Sequence, residues 1–182
     1  MTDEKTIAEF PVPVEELRVL LRFASDEATC SDLERLHFVD GELLTVDGFR
    51  LVRRKVAGVS AHPHLCFEVT SLRLWLDTLD GDIVFRITEK YADVICGDVR
   101  VHLDAYLPEK LTAKGIKNLT PTSPSVFQCI VTARAFGDFA GMGDISKIVK
   151  LRFHGEREPI EFTCGDLNGL IMPAVELPGA EG

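Results

Sequence analysis

No stretch of this chain approaches the roughly 18 to 20 consecutive apolar residues that span a bilayer. The opening Met1-Thr-Asp-Glu-Lys-Thr6 also has no basic region followed by an apolar core. Together these absences predict an unexported, cytoplasmic protein with no membrane partner. A cationic surplus is lacking too: 20 Lys and Arg stand against 29 Asp and Glu, a net charge of −9. That argues against non-specific coating of nucleic acid, though it permits a local basic surface on an acidic body. The five cysteines, Cys30, Cys66, Cys96, Cys129 and Cys164, are odd in number and far apart. Neither a disulfide framework nor a CxxC zinc or redox motif can be built from that spacing, so reduced thiols are expected.

Catalytic signatures are equally scarce. There is no Gly-rich phosphate loop, no Gly-x-Ser-x-Gly elbow and no His-Glu-x-x-His. His62-Pro-His64 offers two ring nitrogens, but no third ligand is close in sequence. Cys30, Cys96 and Cys164 would need a His or Lys nearby to act as nucleophiles, and Cys96 and Cys164 fall in strand patterns that favour burial. The expectation is a protein that binds rather than an enzyme, with no catalytic residues, no cofactor and no metal; a thiol or metal enzyme is the remotest alternative.

What is present is a core. The apolar fraction of 46% over 182 residues suits one globular domain or a domain and a half. Phe10-Pro-Val-Pro-Val14 is extended, because its prolines lack N–H donors and bias the preceding residues away from helix. A helix is expected over residues 15–24, where Leu17, Leu20, Leu21 and Ala24 repeat at i, i+3, i+4, i+7 and leave Arg18 and Arg22 on another side. Runs at 33–39, 42–46 and 49–56, separated by Asp40-Gly41 and Asp47-Gly48, read as a three-stranded meander. Its basic run Arg53-Arg54-Lys55 reads as a solvated strand edge that blocks sheet-to-sheet aggregation.

The pattern then repeats. Residues 66–70 form a short strand, and Leu72, Trp75, Leu76 and Leu79 an apolar helical stripe ended by Asp80-Gly81. Strands follow at 82–88, 91–96 and 98–103. A third copy comes after the linker Leu119-Thr-Pro-Thr-Ser-Pro124. It has a strand at 127–131, a helix over 133–142 with Phe136, Phe139 and Ala140 inward, and strands at 147–153, 160–164 and 167–172. Three βαβββ modules are expected, an α+β chain of antiparallel sheet with helices on one face.

The final hairpin carries a family likeness. Ile160 and Phe162 alternate with polar residues, Gly165-Asp166 turns, and Gly169-Leu-Ile-Met-Pro173 follows. This resembles the last hairpin of the bacterial replicative sliding clamp, the β subunit of DNA polymerase III, whose final strand ends in a Met-Pro tail. Asp47-Gly-Phe-Arg-Leu51 resembles the Thr-Asp-Gly-His-Arg-Leu signature of that family's middle domain, with Val46 for Thr and Phe49 for His. Ala105-Tyr-Leu-Pro108 resembles the exit from the same domain. The likeness covers roughly residues 9–176. It implies a complete two-module clamp domain at 9–110, a linker at 111–125 and a half domain at 126–176, with no counterpart of the family's first domain or of half its third.

The resemblance implies a DNA clamp-like fold with sheets outside. It also implies a processivity or accessory factor of DNA replication or repair that holds double-stranded DNA topologically. DNA polymerase or clamp-loader type proteins would insert a linear motif into a hydrophobic pocket. Carried over by position, one wall is Val46, Gly48, Phe49, Arg50 and Leu51, Pro108 marks the linker, and Leu170, Ile171, Met172, Pro173 and Ala174 make the other wall. Arg50 would hold a peptide carbonyl or carboxylate. On the helices, Arg18, Arg22, Arg73 and Arg134 would meet phosphates. Ring closure would need a homo-oligomer: two copies pairing their third modules across a two-fold axis, or four copies supplying twelve modules. The alternative is an adaptor that keeps only the peptide pocket and does not encircle DNA.

Overall fold

A computed structural model describes residues 5–172 of the chain, except 26–30, 48, 57–63, 77, 80, 110, 112–114, 117, 118, 120, 122, 126, 133–147 and 156. Strand β1 (Ala8–Pro13) leads into helix α1 (Val14–Arg22), a 3-10 turn (Ser31–Glu34) and the meander β2 (Arg35–Val39), β3 (Glu42–Val46) and β4 (Arg50–Lys55). The order recurs as β5 (Leu65–Glu68), α2 (Thr70–Leu76), β6 (Asp82–Ile87), β7 (Tyr91–Cys96) and β8 (Val99–Tyr106). Next come β9 (Phe127–Thr132), β10 (Ile148–Phe153), β11 (Ile160–Cys164) and β12 (Leu167–Ile171). The helix expected over 133–142, with Phe136, Phe139 and Ala140, lies outside the described residues.

Local sequence explains most boundaries. Pro13 caps α1 in an extended conformation (ψ 137°), and its fixed φ suits the residue that precedes a first turn. Glu15 and Glu16 sit in that first turn and Arg22 in the last, the arrangement that complements the helix dipole. Asp40 and Gly41 both take positive φ (49° and 75°), as a two-residue hairpin with right-handed twist requires.

All strand pairs are antiparallel, in the order β1-β6-β7-β8-β5-β2-β3-β4-β12-β11-β10-β9. β8 links two halves of that order, pairing with β7 over residues 99–104 and with β5 at Ala105 and Tyr106. The C-terminal strand β12 is internal. It joins β4 through Leu167↔Arg54, Gly169↔Val52 and Ile171↔Arg50. This corrects the reading of Arg53-Arg54-Lys55 as an edge. Arg53 Nε donates to Asn168 Oδ1 (2.6 Å) and its guanidinium meets Glu42 at 3.8 Å, while Arg54 pairs with Glu16 of α1.

The main core unites α1, α2 and one face of the strands: Leu17, Leu20, Phe38, Leu43, Val52, Phe67, Leu72, Phe85, Phe162 and Leu167 are all buried in it. β3, β4 and β12 are buried on their other face too. Successive residues there point alternately to opposite sides, so Leu43 and Val52 enter the main core while Leu44, Leu51 and Leu170 enter a second cluster. Gly169 makes this junction possible: a Cβ there would lie 2.0 Å from the Leu51 carbonyl oxygen and 2.4 Å from the Phe162 ring. The helical stripe needs one correction. Leu72, Leu76 and Leu79 are buried, but Trp75 is 50% exposed and Leu74 beside it 77%, because a seven-residue helix has only one inward face.

Candidate functional site

Two stretches more than a hundred residues apart in sequence meet at the second cluster. Val46 ends β3, and Leu51 on β4 faces Leu170 on β12 across the ladder. All three are buried, together with Val39 and Leu44. The chain after β8 covers them, contributing Leu111, Ile116 and Leu119, with Leu33 at the side. Met172 extends the β4–β12 ladder by donating its N–H to the Phe49 carbonyl (2.8 Å). Phe49 is 75% exposed and Met172 37% exposed, so two large apolar side chains stand in solvent at the rim of a buried apolar floor.

The turn that presents Phe49 is held by Asp47. Its carboxylate accepts the N–H groups of Phe49 (3.0 Å) and Arg50 (2.8 Å), and the Arg50 guanidinium closes on it at 2.8 Å and 2.7 Å. Arg50 also lies over the Phe23 ring at 4.7 Å. Sequence reasoning had Arg50 reaching for a peptide carbonyl or carboxylate; in the structure its fork is engaged by Asp47 and stacked on Phe23, and it shapes the turn. Ile171 packs against the main core rather than the cluster, as its place in the strand alternation dictates. Pro108 is half-buried at the start of the linker. Gly48, Pro173 and Ala174 lie outside the described residues.

The linker is anchored by a residue that the sequence did not flag. The Asp32 carboxylate, fully buried, accepts the backbone N–H groups of Glu109 (3.1 Å) and Leu111 (2.8 Å) and has Arg35 at 3.8 Å. Its carbonyl takes the Nε2 proton of His37 (2.6 Å), which leaves His37 Nδ1 to accept from His64 Nε2 (3.0 Å). Burial lowers the pKa of both histidines, that of His37 to about 4. His64 Nδ1 is buried without a partner among the described residues. His64 is therefore part of a buried pair, its companion His62 lies outside the described residues, and no group of three His, Cys, Asp or Glu side chains suited to a metal occurs among the described residues. Cys66, opposite His37 in the β2–β5 ladder, donates to the Tyr106 carbonyl (3.3 Å), and burial pushes its thiol pKa up, against thiolate chemistry.

The helix arginines occupy positions that the apolar stripe did not reveal. Arg18 donates to the carbonyls of Leu76 and Leu79, each at 3.1 Å, where α2 ends. Arg73 donates to the carbonyls of Leu21 (2.7 Å) and Ala24 (2.8 Å), where α1 ends. Each helix thus supplies the cation that satisfies the other's last carbonyls. Arg22 is exposed, Arg134 lies outside the described residues, and the solvent side of α2 carries Leu74 and Trp75. The described helices therefore do not form the row of outward cations that was expected.

No protein-family model matches the chain, and no curated protein matches it in sequence. Solved structures do. The Helicobacter pylori β clamp bound to DNA ligase peptide is similar at TM-score 0.70 and 9% identity, over 96% of this chain and 67% of that one. The Bacillus subtilis DNA polymerase sliding clamp gives 0.67 and 14%, over 97% and 67%. A sliding clamp from Pseudomonas aeruginosa bound to griselimycin gives 0.58 and 13%, over 95% and 66%. The chain spans about two thirds of the length of the structures it matches. At such identities the likeness establishes a clamp-like fold. No helix among the described residues is long and apolar enough to cross a membrane.

Proposed function

We propose that this chain is a sliding clamp-like, non-enzymatic accessory factor of DNA replication or repair, built of three βαβββ modules. In this reading 9–110 is a two-module domain, 111–125 a linker and 126–176 a half domain. Polymerase-type partners dock through a linear motif at the surface where Phe49 and Met172 stand exposed beside the covered cluster of Val46, Leu51 and Leu170, and copies associate around double-stranded DNA. The observation that carries the reading is the β4–β12 junction, which pairs Leu51 with Leu170 and leaves Phe49 and Met172 exposed. The clamp from Helicobacter pylori, bound to a DNA ligase peptide, supplies the occupant class. Arg50 acts here by holding the turn, and Arg18 and Arg73 act in the fold, so DNA contact falls to Arg22, Arg134 and cations beyond the described helices.

The reading is tested with a fluorescein-labelled peptide of the DNA ligase segment bound by the Helicobacter pylori clamp. Saturable binding is expected, measured by anisotropy. Phe49→Ala and Met172→Ala, both at exposed positions, should each weaken it about tenfold, as loss of an apolar anchor does, with unfolding midpoints unchanged. Binding that ignores both substitutions would remove the peptide site from this surface.

A further inference from the structure

The three strands that open each repeat, β1, β5 and β9, find their partners in two different ways. β1 does not pair with β2 of its own repeat; it lies against β6 of the next, Ala8↔Ile87 through Pro13↔Asp82. β5 in turn lies against β2 of the previous repeat, Arg35↔Glu68 through Phe38↔Leu65. The first two repeats thus exchange their opening strands, and the reciprocal arginine bonds between α1 and α2 accompany that exchange. Among the described residues β9 instead folds back onto its own β10, Phe127↔Phe153 through Thr132↔Ile148.

Three features make this closed arrangement convertible. The β9–β10 ladder runs first residue to last over six pairs, the same register as β1–β6, so β10 of another copy would meet β9 with the same set of bonds. The connector from β9 to β10 holds 15 residues (133–147), more than the 13 (69–81) that carry the chain from β5 across to β6, whereas antiparallel neighbours need as few as two. Among the described residues β9 also ends the strand order, and Phe127-Gln-Cys-Ile-Val-Thr132 has neither charge nor proline. β1, at the opposite end, is blunted by Pro11 and Pro13.

We infer that β9 is an exchangeable strand. In a dimer of this chain each β9 leaves its own β10 and pairs with β10 of the second copy, making of two C-terminal repeats one unit of the kind seen at residues 8–106. Identical contacts in the closed and exchanged forms make the conversion cheap and dependent on concentration. The inference rests on strand topology and needs neither DNA nor a peptide, so it stands or falls apart from the clamp-like reading.

Gln128 and Arg152 are cross-strand partners and both exposed, which suits them to a disulfide trap. Single variants Gln128→Cys and Arg152→Cys are mixed, incubated at rising concentration and oxidised, and the linkages are mapped by peptide mass. A covalent heterodimer joined 128 to 152, in large excess over the 128-to-128 and 152-to-152 homodimers that random encounter would give equally, is expected, because exchange sets these two positions opposite each other. The double variant Gln128→Cys/Arg152→Cys reports the geometry independently. If it closes within single chains at every concentration while the mixture yields no heterodimer, exchange is overturned. A 128-to-128 link in the Gln128→Cys variant alone would mean edge pairing of closed repeats, and would overturn it as well.

Discussion

His37 is a base held neutral inside the protein. Burial is the dominant cause of its lowered pKa, about 4 against an ordinary 6.5; the Asp32 carbonyl opposes the shift, and His64, lowered in the same direction, adds to it. The unfolded chain therefore binds more protons than the folded one between these values. Stability is complete above about pH 6.5 and falls as pH drops toward 4. Urea unfolding at pH 7 and pH 5 should show a loss of about 2 kcal/mol, since 1.5 units of pH below the unfolded pKa are worth that much per proton. His37→Gln should flatten the dependence; an equally steep profile in that variant would assign the proton elsewhere. None of this could be read in the sequence. Asp32 and His37 are five apart, His64 is remote, and only the β2–β5 pairing with the linker crossing above makes them neighbours.

At the scale of elements, the reciprocal bonds between α1 and α2 replace the caps that two short helices would otherwise need. In each guanidinium one nitrogen, Nη2, donates to both carbonyls. Arg18→Ala or Arg73→Ala should each cost about 1 to 3 kcal/mol, as charged hydrogen bonds at partly buried sites do. Arg73→Lys, whose ammonium can also give two N–H bonds, should recover part of it. Denaturant unfolding without DNA measures the effect, and stability equal to wild type would show that these arginines serve something other than the fold. Strand positions were legible because Asp-Gly turns and alternation are local signals, and the meander strands fall within two residues of expectation except β8, which runs three residues further, to Tyr106. The site was legible in part. Short motifs singled out Val46, Leu51 and Leu170, which share one buried cluster, whereas the engagement of Arg50 by Asp47 and of Arg18 and Arg73 by helix ends depends on contacts that no periodicity encodes. Trp75 was assigned inward by spacing alone, but the geometry of a two-turn helix leaves it in solvent.

For the molecule as a whole, the proposed clamp-like reading combined with a net charge of −9 calls for topology rather than affinity as the mode of holding DNA. Incubated with nicked circular DNA at physiological salt, the protein should stay associated through gel filtration and be lost when the circle is linearised, with light scattering showing more than one copy per particle. Equal loss from circles and linear DNA would leave a peptide-binding adaptor that does not encircle DNA. The internal position of β12 has one more consequence, in the order of synthesis. More than a hundred residues separate Lys55 from Leu167, so a nascent chain displays β4 with a bare side long before its neighbour has left the ribosome. Arg50, Arg53 and Arg54 already have Asp47, Glu42 and Glu16 as partners by then, and these charged side chains along the waiting strand deter illegitimate pairing. Arg53, which later bonds Asn168 across the finished junction, thus also guards it while translation is incomplete.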